Sequence, residues 1–206
     1  CIREIMINEI TKSEGIERVH TTKKDVYNSM NFTKIDKLSG IIKKYKQITE
    51  KKIEKIDSAK EIRRIYDEIF GEEILINPEN RLDGKLFRKN SVFITDGFKN
   101  IHLGDLTEEI ILKHIEDLIK FSNRKDISFL FKACIAHYYF EYIHPFYDGN
   151  GRCGRMIFSM YLARKLDIFT GLSLSYAIFS EKEKYSKLFL STSSSKNFGE
   201  VTFFIK

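Results

Sequence analysis

The chain has 206 residues, 42% of them hydrophobic and 13% aromatic, and carries a formal net charge of +6. Such a length suits one domain or one domain with an appendage, and such a composition is that of a globular chain and excludes a disordered one. No apolar run approaches a membrane span, no secretory signal is visible, and three cysteines (Cys1, Cys134, Cys153) without ligand-like spacing point to a reducing, cytoplasmic setting.

With only two prolines and apolar residues mostly at helical spacing, the chain reads as all-α. Taken in order, a first helix is predicted from about Arg3 to Arg18. A second, long and charged, begins near Ile35 and Leu38 and runs to about Ile53. Its lysines (Lys43, Lys44, Lys46, Lys51, Lys52, Lys55) read as a solvated face and carry much of the positive excess. Ser58-Ala59-Lys60-Glu61 has the form of a capping box and opens a third helix, with Ile62, Ile65 and Ile69 on one side. The pattern then breaks. Ser91 to Thr95 and Phe98 to His102 flank Asp96-Gly97, a β-hairpin signal. Asp105 to Glu108 opens the next helix, with Ile110, Ile111, Ile115 and Leu118 inward. Residues 127–142 are apolar nearly all round, as expected of a central buried helix, and Cys134 is assigned to its core. A helix from Asn150 or Gly151 to about Leu166 follows. Ser180 to Glu183 resembles a second capping box, opening a helix that holds Tyr185 and Leu188, with Tyr185 read as a core tyrosine. The division expected is an N-terminal helical region over 1–80 and a core domain over 81–206. The chain starts at Cys1 rather than methionine and stops after Phe203-Phe204-Ile205, so it reads as cut at both ends.

The most informative stretch is His144-Pro145-Phe146-Tyr147-Asp148-Gly149-Asn150-Gly151-Arg152-Cys153-Gly154-Arg155. Gly149 and Gly151 can turn backbone N–H groups toward an anion. The loop empties onto a helix N-terminus, which favours negative charge. Arg152 and Arg155, three apart, can face one phosphate with planar forks. Asp148 offers the hard oxygen that Mg²⁺ prefers, and His144 has the side chain best suited to proton abstraction near neutral pH. Cys153 needs only to be small.

These residues resemble the Fic signature His-Pro-Phe-x-[Asp/Glu]-Gly-Asn-Gly-Arg-x-x-Arg, with no departure. The resemblance implies a helical Fic fold with a small β-hairpin flap, and transfer of AMP from ATP to a Ser, Thr or Tyr hydroxyl of a target protein. It implies His144 as general base, Asp148 as Mg²⁺ ligand, Gly149, Asn150 and Gly151 as an anion hole, and Arg152 and Arg155 on the outer phosphates. Phe146 is the expected anchor of the loop. The intact glycines favour AMP transfer over phosphate transfer. The hairpin over 91–102 corresponds to the flap that docks the target by strand addition. Arg88, just before it, is similar to a recurrent arginine of the family, with a structural role equally open.

Ser13-Glu14-Gly15-Ile16-Glu17-Arg18 resembles the family's inhibitory helix, [Ser/Thr]-x-x-x-Glu-[Gly/Asn], with Arg18 at the Gly/Asn position. The expectation is self-inhibition: Ser13 and Glu17 belong to the inhibitory segment, and a Glu17–Arg155 pair occupies the guanidinium that a γ-phosphate needs. Two other readings stay open. One is removal of AMP at the same site, with Glu17 positioning a water. The other is a nucleic-acid-binding regulator with a vestigial site, which the basic charge permits but no helix-turn-helix or aromatic–basic pattern supports. No membrane partner is expected. Association of copies through helical faces, seen in some self-inhibited relatives, stays open.

Overall fold

The computed structural model describes residues 2–31, 35–95 and 100–205. Helices dominate, as the periodicity predicts. They are α1 (Ile2–Ile16), α2 (Lys23–Asn31), α3 (Ser39–Thr49), α4 (Ala59–Ile76), α5 (Glu108–Ser122), α6 (Phe129–Ile143) and α7 (Asn150–Lys165), then the shorter α8 (Ile168–Gly171), α9 (Leu174–Ser180), α10 (Lys182–Ser193) and α11 (Thr202–Ile205). Between α4 and α5 lie strands β1 (Phe93–Thr95) and β2 (Asn100–Leu103).

The chain forms two compact units that interleave in sequence. One comprises Cys1–Ile56, Ile62–Arg81 and Gly151–Lys182; the other comprises Asp57–Glu61, Leu82–Asn150 and Glu183–Lys206.

In the first unit α1 packs on α9, α2 and α3. Ile7, Ile10, Val26, Ile42, Tyr45, Ile48, Ile65, Tyr66 and Met156 are buried there. Gly40 lets α3 approach α4 closely, since a Cβ at that position would strike the backbone carbonyls of Glu68 and Ile69. The approach also explains Lys44. The sequence reading put it on a solvated face, yet it is 2% exposed and ion-paired with Glu68 of α4. Its stem is covered by the neighbouring helix while its charge meets a carboxylate 24 residues ahead. α3 is shorter than predicted. It ends at Thr49 because Lys51 turns left-handed (φ 58°), and Lys52 N–H closes onto the Gln47 carbonyl at 2.8 Å.

Helix α2 escapes the periodicity argument, having one buried residue, Val26. Its signal is local: Thr22 Oγ1 accepts from Asp25 N–H at 3.2 Å, and Asp25 Oδ2 accepts from Thr22 N–H at 2.8 Å. That is a reciprocal cap with Asp in place of Glu.

In the second unit α5 packs on α6, and α11 also lies against α6. Ile111, Ile115, Phe140, Ile143, Phe146 and Phe87 are buried. The Ser58 box forms as read, with Glu61 Oε2 accepting from Ser58 N–H at 3.0 Å. Three expectations fail. Ile110 is exposed, because it lies about 100° round α5 from Ile111, off the buried stripe of Ile111, Ile115 and Leu118. α6 is not buried all round: Leu130 and Phe131 lie in its exposed first turn, and Cys134 is half-buried. Ser180 caps nothing, because it closes α9 and its hydroxyl donates to the Ala177 carbonyl at 2.7 Å. The hairpin strands are present and antiparallel, with a register shift between Ile94 and Thr95. The turn residues Asp96 and Gly97 lie outside the described residues.

Candidate active site

His144 is the residue on which α6 ends. Pro145 has no N–H to continue the helix, and His144 takes a left-handed conformation, φ 53° and ψ 63°, which costs a non-glycine residue on the order of 1–2 kcal/mol. Its own N–H still closes the helix onto the Phe140 carbonyl at 3.0 Å, and Nδ1 lies 3.2 Å from the Glu141 carbonyl.

The loop beyond it is pinned from inside. Phe146 is fully buried against Phe87 and Phe140, at ring distances of 5.7 and 6.4 Å. The Asn150 side chain turns back into the loop. Its Oδ1 accepts from Phe146 N–H at 2.9 Å and its Nδ2 donates to the Phe146 carbonyl at 2.8 Å. Its amide therefore locks the loop, and only its backbone is left for an anion. Tyr147, at a variable position, donates to Asp83 Oδ1 at 2.9 Å. Gly149 is left-handed (φ 77°), the conformation for which the glycine was expected. The Asp148 carboxylate is exposed, and its Oδ1 accepts from Gly149 N–H at 2.7 Å.

Past Asn150 the chain enters α7, where the first unit resumes and both arginines are buried. Arg155 Nη1 lies 2.7 Å from Glu17 Oε1, Nε donates to Ser13 Oγ at 3.2 Å, and Nη2 donates to the Ser13 carbonyl at 3.0 Å. A Cβ at Gly151 would collide with that Glu17 oxygen, so the missing side chain makes room for the carboxylate at the first turn of α7. Arg152 is gripped differently. It forms a bidentate pair with Glu73, at 2.8 and 3.1 Å, approaches Glu14 at 3.5 Å, and lies 4.7 Å over the Phe70 ring. Cys153, between the two arginines in sequence, is fully buried.

Residues 56–162, just over half of the chain, match the Fic/DOC family. The chain belongs to the Fic/DOC family. It is 28% identical over 120 residues to the protein adenylyltransferase Fic of Drosophila willistoni, and 34% identical over 109 residues to that of Aedes aegypti. These stretches cover 58% and 51% of this chain but only 22% and 19% of the relatives, so the chain spans about a fifth of their length. The crystal structure of a Fic family protein from Desulfovibrio desulfuricans superimposes with a TM-score of 0.79, covering 99% of this chain and 61% of that one at 21% identity. The fold is therefore the Fic fold.

Further contacts hold the elements around the Fic signature. Arg18 ends α1 in a left-handed conformation (φ 60°), with Val19 N–H bonded to the Glu14 carbonyl at 3.1 Å and Arg18 N–H to the Gly15 carbonyl at 3.2 Å. This is a Schellman closure, which is the physical reason for a Gly or Asn preference at that place. Lys182 adds a second stop, donating to the Gly15 carbonyl at 3.0 Å; burial, then the neighbouring Arg18 charge, holds its ammonium below the usual lysine range. Glu9 is buried and ties α1 to the start of α9, accepting from Ser175 N–H at 2.8 Å and Tyr176 N–H at 3.2 Å. Tyr185, assigned to the core, is half-buried and its hydroxyl lies 2.7 Å from His137 Nε2. Among the described residues, no cluster of three His, Cys, Asp or Glu side chains could hold a metal ion, and no helix is long and apolar enough to cross a membrane.

Proposed function

We propose that this Fic chain transfers AMP from ATP to a hydroxyl of a target protein, and that α1 restrains the reaction through Glu17. The observation that carries the reading is the Glu17 carboxylate seated at the first turn of α7, against Gly151 and Arg155. An anion there, at a helix N-terminus and on a buried guanidinium, stands where a nucleotide phosphate would gain most. The names of the relatives support the chemistry, and the complete signature supports the assignment of roles.

In this mechanism His144 takes the proton of the target hydroxyl, whose oxygen attacks the α-phosphorus in line while pyrophosphate leaves. The Gly149 to Gly151 N–H groups donate to the α-phosphate oxygens as charge builds there, that of Gly149 after leaving Asp148 Oδ1, and Arg155 meets the outer phosphates once Glu17 withdraws. Arg152 supplies positive charge nearby, but direct contact with a phosphate requires it to leave Glu73. Asp148, a single exposed carboxylate, fits Mg²⁺, which takes few protein ligands beside substrate phosphates and neutralises their charge when bound. The β1–β2 hairpin offers an edge to which an extended target segment adds as a strand. Glu17, displaced but close, also suits the positioning of a water, so removal of AMP is the second reading.

Labelled ATP with Mg²⁺ should modify the chain or an added target weakly for the wild type and strongly for Glu17→Gly, and not at all for Glu17→Gly combined with His144→Ala. Equal labelling by wild type and Glu17→Gly would sink the restraint, and equal labelling with His144→Ala would sink the base. Incubating an AMPylated protein with the chain separates transfer from removal.

A further inference from the structure

Arg88 is among the largest fully buried side chains of the molecule; the Asp105 carboxylate acts on it electrostatically, but among the described residues no carboxylate forms an ion pair with it. A guanidinium in that position needs acceptors, and all of Arg88's are backbone carbonyls. Nε donates to His144 O at 2.8 Å, Nη2 to Ile143 O at 3.3 Å, and Nη1 to Asp105 O at 2.7 Å and Asn90 O at 2.6 Å. Its own backbone N–H donates to Pro145 O at 3.3 Å. One residue therefore holds the carbonyls of 143, 144 and 145, the peptides on both sides of the left-handed His144. A cation at this place also meets the negative end of α6.

The arrangement is built from behind. The Glu108 carboxylate accepts from Lys85, Leu86 and Phe87 N–H at 3.0, 2.6 and 2.9 Å, fixing the turn that delivers Arg88. Gly104 clears the remaining side, since a Cβ there would lie 2.6 Å from Arg88 Nη2 and 2.9 Å from His144 Cβ. If Arg88 served stability alone, burying it would be a poor solution, because apolar residues fill such space without desolvating a charge. Its fork instead matches a run of carbonyls that a helix end leaves open.

We infer that Arg88 is a positioning residue: it clamps the backbone on either side of His144 and so sets where the imidazole points during proton transfer. The inference rests on His144 being the base. Lysine at 88 keeps the charge but can satisfy fewer of these carbonyls at once, which separates geometry from electrostatics.

The test uses Arg88→Lys and Arg88→Gln in the Glu17→Gly background, with labelled ATP for kinetics and nitrogen-detected histidine ring NMR. The His144 signals are identified by their loss in His144→Ala. Both variants should lower kcat by roughly 100-fold, the scale of a misplaced catalytic group, with the KM for ATP little changed. They should also shift the His144 ring resonances while leaving those of His20 in place. Wild-type kcat with unmoved His144 resonances would overturn the inference. So would variants that fail to fold, since that makes Arg88 a stability residue. If the parent shows no AMP transfer at all, the proposed function fails, and the NMR comparison still decides whether Arg88 orients His144.

Discussion

Glu17 reaches Arg155 across the space that a side chain on residue 151 would fill. The two contacts are thus one event, and they should be coupled energetically. Gly151→Ala should dislodge Glu17, so that adding Glu17→Ala changes stability no further. A double-mutant cycle in urea should give a coupling of about 1 kcal/mol. Additive effects would mean that the ion pair survives an alanine at 151.

Arg18 ends the restraining helix in a conformation that favours glycine. Arg18→Gly should therefore stabilise the chain by about 1 kcal/mol, by removing a left-handed side chain. A tighter closure holds Glu17 more firmly, so basal AMP transfer should fall. Thermal melts and labelled-ATP assays on one preparation check both; a lower Tm would sink the argument.

The pair between Arg152 and Glu73 can be broken from the acidic side. Glu73→Ala leaves a guanidinium that is 5% exposed without its bidentate partner, and should cost about 3 kcal/mol in denaturant unfolding. A loss well under 1 kcal/mol would show that Glu14 alone can hold Arg152.

Asn150→Ala should cost about 2–4 kcal/mol, because it strips both the N–H and the carbonyl of buried Phe146 of their partners. Urea melts give the number. A near-neutral result would mean that water replaces the amide.

Burial pushes the Glu9 carboxyl above its usual value, against the lowering effect of the bonds from Ser175, Tyr176 and Tyr45. A folded value above the unfolded one means stability that is complete below the unfolded value of about 4.5 and is lost as pH rises through the folded one. The Tm of the wild type minus that of Glu9→Gln should therefore be largest at acid pH and shrink toward neutrality. Burial raises Glu14 in the same direction, but it titrates in both proteins and cancels from the difference. A difference that grows with pH would reverse the assignment.

What was legible follows from range. The His144 to Arg155 run declares itself because its chemistry lies within twelve residues, and the end of α1 because a helix closure is local. The lock on Phe146 by Asn150 is equally local, yet an amide four residues from a backbone group does not announce which partner it takes. Arg88 meets His144 from 56 residues away and Glu73 meets Arg152 from 79, distances over which no spacing rule operates. The misjudged exposure of Lys44, Leu130 and Phe131 has the same origin. Periodicity tells which residues share a helix face, while only the tertiary neighbour decides whether that face is covered.

Cys153 sits wholly out of solvent, in the same helical turn as the arginine that Glu17 occupies. Alkylating reagents will meet it only when α7 comes loose from its surroundings, well after they have met the half-buried Cys134. The thiol is thus a built-in clock, and the rate at which it is capped measures how often this part of the molecule breathes.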